Sequence, residues 1–212
     1  YLGSQKNKLY YNLIMNYSLE EIYLMEKDPK LKNLILENQH IKFKKGTKNY
    51  YHSMINLVIS QFISTSAALS ISTNLLKHFE DKYFKDDHFS DLSLVDIQKL
   101  GFSMNKAKSI KAITEEFLTK SFLHNMTSLS ENDFDLYLLS IYGVGPWTLN
   151  MFKLFTLGEK DIFSSKDAAL RKAMNINDMV PLTAKHGEYE DYSKLWKPYR
   201  SIACLHLWKS LD

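Results

Sequence analysis

Apolar positions recur at three- and four-residue spacing along most of the chain, and strand-like alternation is weak throughout, so the pattern predicts helices. Residues 5–40 read as helical. They hold a capping box from Ser18 to Glu21 ahead of Ile22, Leu24 and Met25, and a break and restart at Asp28-Pro29. Gly46 stands among Lys42, Lys44, Lys45 and Lys48, a basic turn that reads equally as a solvated loop or a phosphate contact. Residues 53–79 form one long apolar run, predicted as a single helix, with Gln61 in its middle between Ile59, Phe62 and Ile63. A glutamine there is either on an exposed face or a buried polar group with a task. Short capped helices follow over 93–100, ended by Gly101, and over 103–118, with Lys106, Lys108 and Lys111 near its start. Another opens with Ser130 and Asp133 and carries Phe134, Tyr137, Leu138 and Ile141 at helical spacing. Pro146 suits the first turn of the next helix, which Gly158 closes. A link and a helix with Asp167 in its first turn cover 160–174, and the tail 193–211 holds a final amphipathic helix after Pro198.

Composition supports an all-α chain. Among 212 residues there are 7 glycines and 4 prolines, too few for many tight sheet turns, while 45% hydrophobic and 13% aromatic residues allow a substantial core. This length fits one domain or two small lobes. A formal charge of +3 permits an anionic partner without demanding one. Cys204 is the single cysteine, which excludes an internal disulfide, a cysteine zinc site and a four-thiolate iron–sulfur cluster, and points to a reducing compartment. The 7 histidines form no i, i+4 pair, so no metal site is expected from them. No apolar run approaches the roughly 20 residues of a membrane span and no apolar signal segment opens the sequence; no membrane partner is expected.

The glycine-poor chain concentrates its backbone freedom at "IYGVGPWTLN", 141–150, where Gly143 and Gly145 flank Val144 and precede Pro146 and Trp147. Such a turn lets a ligand approach the main chain, and the helix start behind it favours a phosphate. Carbonyls on its other side could hold a monovalent cation. The plainer reading is an αα-hairpin that only connects two packed helices.

The wider pattern favours the first of these. "LLSIYGVGPWTLNMF" followed about 20 residues later by an aspartate at a helix start resembles the helix-hairpin-helix DNA glycosylases. "LVISQFIS" is similar to their substrate-facing helix, "LGFSMNKAKSIKAI" to the helix pair that follows, and "WKPYRSIACLHLW" to the C-terminal signature of the alkylpurine (3-methyladenine) branch. These segments cover roughly residues 50–209. The resemblance implies a two-lobed all-α fold, one lobe from 1–60 with 156–212 and the other from 61–155, with the hairpin unit at about 131–156. It implies a monofunctional base-excision enzyme that flips an alkylated purine from double-stranded DNA, hydrolyses its N-glycosidic bond and leaves an abasic site.

Residue by residue, Asp167 matches the catalytic aspartate. Trp147 stands where bifunctional relatives carry a nucleophilic lysine, and with Trp208 and Met151 it matches the base pocket. Phe62, beside Gln61, falls at the wedge, although on an apolar helix it reads equally as core. Gly143, Val144, Gly145 and Trp147 match the phosphate-binding hairpin, and the carbonyls of Leu139, Ile141 and Val144 its cation site. The implied cofactor list is empty apart from Na+ or K+ at that hairpin, and a monomer is expected. The location would be cytoplasmic in a bacterium and nuclear in a eukaryote. Lys106, Lys108, Lys153 and Lys166 read as solvated, some touching phosphates. The chain departs from its relatives at Ser164-Ser165-Lys166, where many have a proline before the aspartate, at Tyr142, where a proline is common, and at Met151, an aromatic in some pockets. The other readings are a glycosylase for a different lesion, which Trp147 disfavours for oxidised bases, a non-catalytic DNA-binding module on the same hairpin, and a scaffold.

Overall fold

The computed structural model describes residues 16–44 and 46–211, so the N-terminal part of the predicted 5–40 helical stretch lies outside the described residues. The described residues fold into helices joined by turns and loops, with no strand among them. The helices are α1 (Leu19–Lys27), α2 (Pro29–Asn38), α3 (Tyr50–Ser60), α4 (Thr65–His78), α5 (Asp87–Ser90), α6 (Leu94–Lys99), α7 (Met104–Leu118), α8 (Ser121–Ser128), α9 (Glu131–Ser140), α10 (Pro146–Met151), α11 (Ala168–Ile176), α12 (His186–Ser193) and α13 (Arg200–Lys209). A π-helical turn, Phe152–Leu157, continues α10, and a 3₁₀ turn, Lys194–Trp196, continues α12.

The chain divides into two compact units. A central unit spans Gly46–Leu157, and a terminal unit joins the described residues before it to those from Gly158 onward. The expected divisions after 60 and 155 are therefore corrected to 45/46 and 157/158. Helix α3 supplies Tyr51, Met54, Ile55, Val58 and Ile59 to the same core as Ile110 and Ile113 of α7, Phe122 of α8 and Phe152 of the π turn. Cut from the central unit, α3 would leave that apolar face in water. Gly46 also acts differently from the expected basic turn. A side chain there would meet the Thr156 carbonyl oxygen at 2.2 Å and the Leu157 carbonyl carbon at 2.6 Å. The glycine admits this close backbone crossing, which the Thr47 amide ties down with a 2.8 Å bond to the Thr156 carbonyl.

The predicted single helix over 53–79 is two helices. It stops after Ser60, and Phe62 takes a left-handed φ of 61°. Ser64 then caps α4 through the Ala67 amide at 3.2 Å. Apolar periodicity ran through both helices and hid the break. The Ser64-Thr65-Ser66 cluster was its sequence signal.

In the terminal unit, α13 packs on α1, α2 and α11, burying Leu24, Leu31, Ile35, Leu170, Met174, Ile202 and Leu207. Asp28 caps α2 through its Oδ1 and accepts the Trp196 indole N–H on Oδ2 at 2.8 Å, which fixes the break at Asp28-Pro29. Glu21 closes the capping box with Ser18 and is fully buried. It also meets His40 Nδ1 at 2.6 Å, His206 Nε2 at 3.1 Å and the Ile41 amide at 2.9 Å. Burial alone would raise its pKa. The bonds from His206, Ile41, Ser18 and His40 outweigh that and hold the carboxyl at about 2 rather than 4.5.

A pKa lowered on folding gives stability that is present above the unfolded value and is lost as pH falls through the folded one. Between about pH 4.5 and 2 the wild type should therefore lose on the order of 3 kcal/mol through this group. Glu21→Gln should be less stable at neutral pH and lack that part of the acid slope. Urea titrations at a series of pH values measure this, and parallel slopes for the two proteins would refute it.

Candidate functional site

In the central unit, the helix ends carry the unusual geometry. The α3–α4 loop presents Phe62 with its side chain wholly in solvent, at 102% of its reference exposure. A large aromatic in a left-handed conformation, buried against nothing, costs the fold about 1 kcal/mol or more. It is held there from both sides. Lys106 Nζ donates to the Ile59 carbonyl at 2.8 Å, capping the last turn of α3. Gln61 Nε2 donates to the Gly143 carbonyl and to Thr148 Oγ1, both at 2.9 Å. Gln61 is thus a strut between the loop and the glycine hairpin. Phe62 is exposed, and the core reading of it is excluded.

The hairpin runs from the end of α9 to the start of α10. The Val144 amide returns to the Ile141 carbonyl at 3.0 Å, closing a tight turn. Gly143 sits at φ 84°, and a Cβ on it would lie 1.8 Å from Ser109 Oγ on α7. Both the backbone angle and the contact require glycine. Gly145 differs from the sequence expectation. Its extended backbone, φ −99° and ψ 179°, suits any residue, and a Cβ there would meet nothing within 4 Å. Freedom to turn is needed at Gly143, whereas at Gly145 the bare main chain faces open space. Val144 and Met151 are buried, Leu139 and Tyr142 lie exposed, and Trp147 is half-buried in the first turn of α10.

Two lysines read as solvated are not. Lys106 has the capping role above, and burial lowers its pKa. Lys153 is 7% exposed. Its Nζ reaches Glu131 at 2.8 Å and Asp135 at 3.0 Å on α9, tying the π turn to the helix before the hairpin and holding the Glu131 pKa down. Lys108 and Lys166 are exposed as expected.

In the terminal unit, Asp167 is the N-cap of α11 and is 8% exposed. One oxygen, Oδ1, accepts both the Leu170 amide at 2.8 Å and the Trp208 indole N–H at 3.2 Å. Two of the predicted residues, 41 apart in sequence, thereby meet at one carboxylate. The stretch before Asp167 is bound by groups that sequence reasoning did not find. The Ser165 amide donates to Glu190 Oε1 at 2.8 Å, and the Ser165 carbonyl accepts from His186 Nδ1 at 2.7 Å and Arg171 Nη1 at 2.6 Å. Ser164 Oγ is buried with no hydrogen-bond partner. Among the described residues, no cluster of His, Cys, Asp or Glu could hold a metal ion.

Residues 55–198 match the family model described as HhH-GPD superfamily base excision DNA repair protein. A Bacillus subtilis protein designated YfjP is 28% identical over 172 residues, which is 76% of this chain and 59% of that relative's length. DNA-3-methyladenine glycosylase 1 of Schizosaccharomyces pombe is 24% identical over 204 residues, covering 93% of this chain and 89% of the relative. The same fold is seen in the solved 3-methyladenine DNA glycosylase of Schizosaccharomyces pombe in complex with abasic DNA. It has a TM-score of 0.80 and 24% identity, and the match covers 91% of this chain and 96% of the other.

Proposed function

The chain belongs to the HhH-GPD superfamily of base excision DNA repair proteins, and on that premise we propose that it is a monofunctional glycosylase for alkylated purines such as 3-methyladenine in double-stranded DNA. The observation that carries this reading is the buried Asp167 carboxylate, anchored on one oxygen by the Trp208 indole and the Leu170 amide. A base inside a duplex must be extruded before chemistry. Phe62 is the wedge, already presented to solvent, and the bare main chain at Gly143 and Gly145 grips the backbone phosphates.

Alkylation of a ring nitrogen makes the purine cationic, so the indole faces of Trp147 and Trp208 suit it. It also makes the base a good leaving group without an acid. When the C1′–N bond breaks, its electron pair goes to the purine and cancels the positive charge there, while positive charge develops on the sugar. A fixed carboxylate stabilises that sugar, as in other oxocarbenium-like reactions. Water then adds at C1′, its proton leaving to Asp167 or solvent. Trp147 has no amine to form a Schiff base, so the strand is left intact at an abasic site.

The oxygens of Leu139, Ile141 and Val144 are neutral carbonyls, and that of Ile141 already accepts the Val144 amide. Such hard, uncharged donors fit a monovalent cation, Na+ or K+, better than a divalent one. Bound there, it would add positive charge beside the phosphate grip.

The test is base release from methylated duplex DNA. Free 3-methyladenine should appear, and strand breaks should require added alkali. Breaks without alkali would overturn the monofunctional reading. DNA binding without base release would favour the non-catalytic module.

A further inference from the structure

The catalytic carboxylate in this reading is only as well placed as the backbone that carries it. Asp167 follows Ser164-Ser165-Lys166, in which no proline fixes a backbone angle. The turn from Ser164 to Asp167 is closed by the Asp167 amide, which donates to the Ser164 carbonyl at 3.0 Å. Ser165, inside that turn, is gripped on both its backbone polar groups. His186 and Glu190 lie four residues apart on α12, hence on one face. Glu190 takes the Ser165 N–H and His186 donates to the Ser165 C=O, at 2.8 and 2.7 Å. Arg171, one turn into α11, donates a second bond to the same carbonyl at 2.6 Å.

Three side chains converging on one 5%-exposed residue is a large investment for an ordinary loop, whose backbone groups mostly bond to water or to one neighbour. Neither His186 nor Glu190 is needed to cap α12, since its first turn is closed by Glu188 through the Lys185 amide at 2.8 Å.

We propose that His186 and Glu190 are positioning residues for Asp167: they clamp the Ser165 peptide from both sides and so fix where the carboxylate stands, replacing with side-chain bonds the rigidity that a proline would give. The inference rests on the reading of Asp167 as the catalytic carboxylate. Arg171 makes the third contact. It also shares a helix with Asp167, so a change there would disturb α11 itself, and α12 supplies the cleaner variants.

The test compares Glu190→Ala and His186→Ala with Glu190→Gln and His186→Asn. The amide of glutamine keeps an oxygen to accept the Ser165 N–H, and asparagine places an N–H close to the position of Nδ1. Single-turnover release of 3-methyladenine should fall on the order of 10- to 100-fold in the alanine variants, the loss typical of a small misplacement of a reacting group. It should return most of the way in the amide variants. Affinity for a duplex carrying an abasic site should stay within about threefold of wild type, because the grip on the backbone lies elsewhere.

A second readout does not depend on activity. The indole N–H of Trp208, bonded to Asp167, should shift in the ¹H–¹⁵N spectrum of the alanine variants and not in that of the amide variants. His186 is exposed, so its alanine variant carries the test if Glu190→Ala fails to fold.

Alanine variants at the wild-type rate beside an inactive Asp167→Asn would overturn the clamp and leave the glycosylase reading standing. A rate loss with an unmoved Trp208 resonance would overturn it too, as would a loss that the amide variants do not rescue. If the wild-type protein releases no base, the glycosylase reading fails, and the Trp208 resonance alone still decides whether the clamp holds Asp167.

Discussion

On the proposed reading, replacing Asp167 by asparagine should remove nearly all base excision and leave the fold in place. Asparagine is as good an N-cap as aspartate. Its side-chain oxygen can still accept the Leu170 amide and the Trp208 indole N–H that Oδ1 accepts now. What it cannot supply is the negative charge. If that charge stabilises the developing sugar cation, the loss should be on the order of 10²- to 10³-fold in single-turnover rate, as for other single electrostatic contacts to a transition state. The melting temperature should move little, and affinity for an abasic-site duplex should be kept. Asp167→Ala would be a poorer experiment. It removes the cap as well, costing about 1 kcal/mol, and mixes stability with chemistry. An asparagine variant within tenfold of the wild-type rate would reduce Asp167 to a helix cap.

The second large effect belongs to Gly143. An alanine there meets two independent penalties. At φ 84° a Cβ is strained by the backbone alone, by about 1 kcal/mol. The new atom would also lie 1.8 Å from Ser109 Oγ and 2.5 Å from Ser109 Cβ. Rotating the hydroxyl does not help, because Ser109 Cβ is itself too near. Ser109 is buried on α7 and bonded to the Asn105 carbonyl at 2.9 Å. The hairpin must therefore lift off α7, and the Gln61 bond to the Gly143 carbonyl goes with it. Gly143→Ala should lose about 2–4 kcal/mol of stability by urea denaturation, together with DNA binding. Adding Ser109→Gly should recover part of the loss, since it removes the clash and leaves only the backbone strain. Additive single and double variants would show that Ser109 is not the obstacle. Gly145→Ala, by contrast, should fold normally.

How far the sequence reveals this protein differs from element to element. The helices with strong caps were legible to within a residue or so, since Ser18, Ser93, Ser103 and Ser130 each bond the amide three residues on. Helix α12 was not. "HGEYEDYS" is polar almost throughout, and it buries Tyr189 and Ser193 with no apolar stripe to announce it. The glycine hairpin was legible because its rarity in the chain marks it, yet only the structure separates Gly143, which must be glycine, from Gly145, which need not be. Asp167 and Trp208 were picked out by the family pattern, and their contact is visible only in the structure. His186, Glu190 and Arg171 were out of reach, because a bond to a backbone group leaves no residue-type partner to look for. Lys153 failed for a related reason. A lysine looks solvated until the carboxylates of Glu131 and Asp135 arrive from another helix.

The division of the chain also bears on the order in which the protein is made. The central unit is one continuous stretch, Gly46–Leu157, whereas the terminal unit needs residues from both sides of it. As the chain leaves the ribosome, α1 and α2 emerge ahead of the central unit and can pack on each other, but their other neighbour is still to come. α13, which packs on both of them, comes only after the central unit is complete. The central unit can close on itself in the meantime, from contacts that are local in sequence. Both helices are thus made before the central unit and secured only after it, and the faces that α13 covers stay open in between. A ribosome-bound chain stopped before α13 should show a protected central unit beside protease-sensitive α1 and α2.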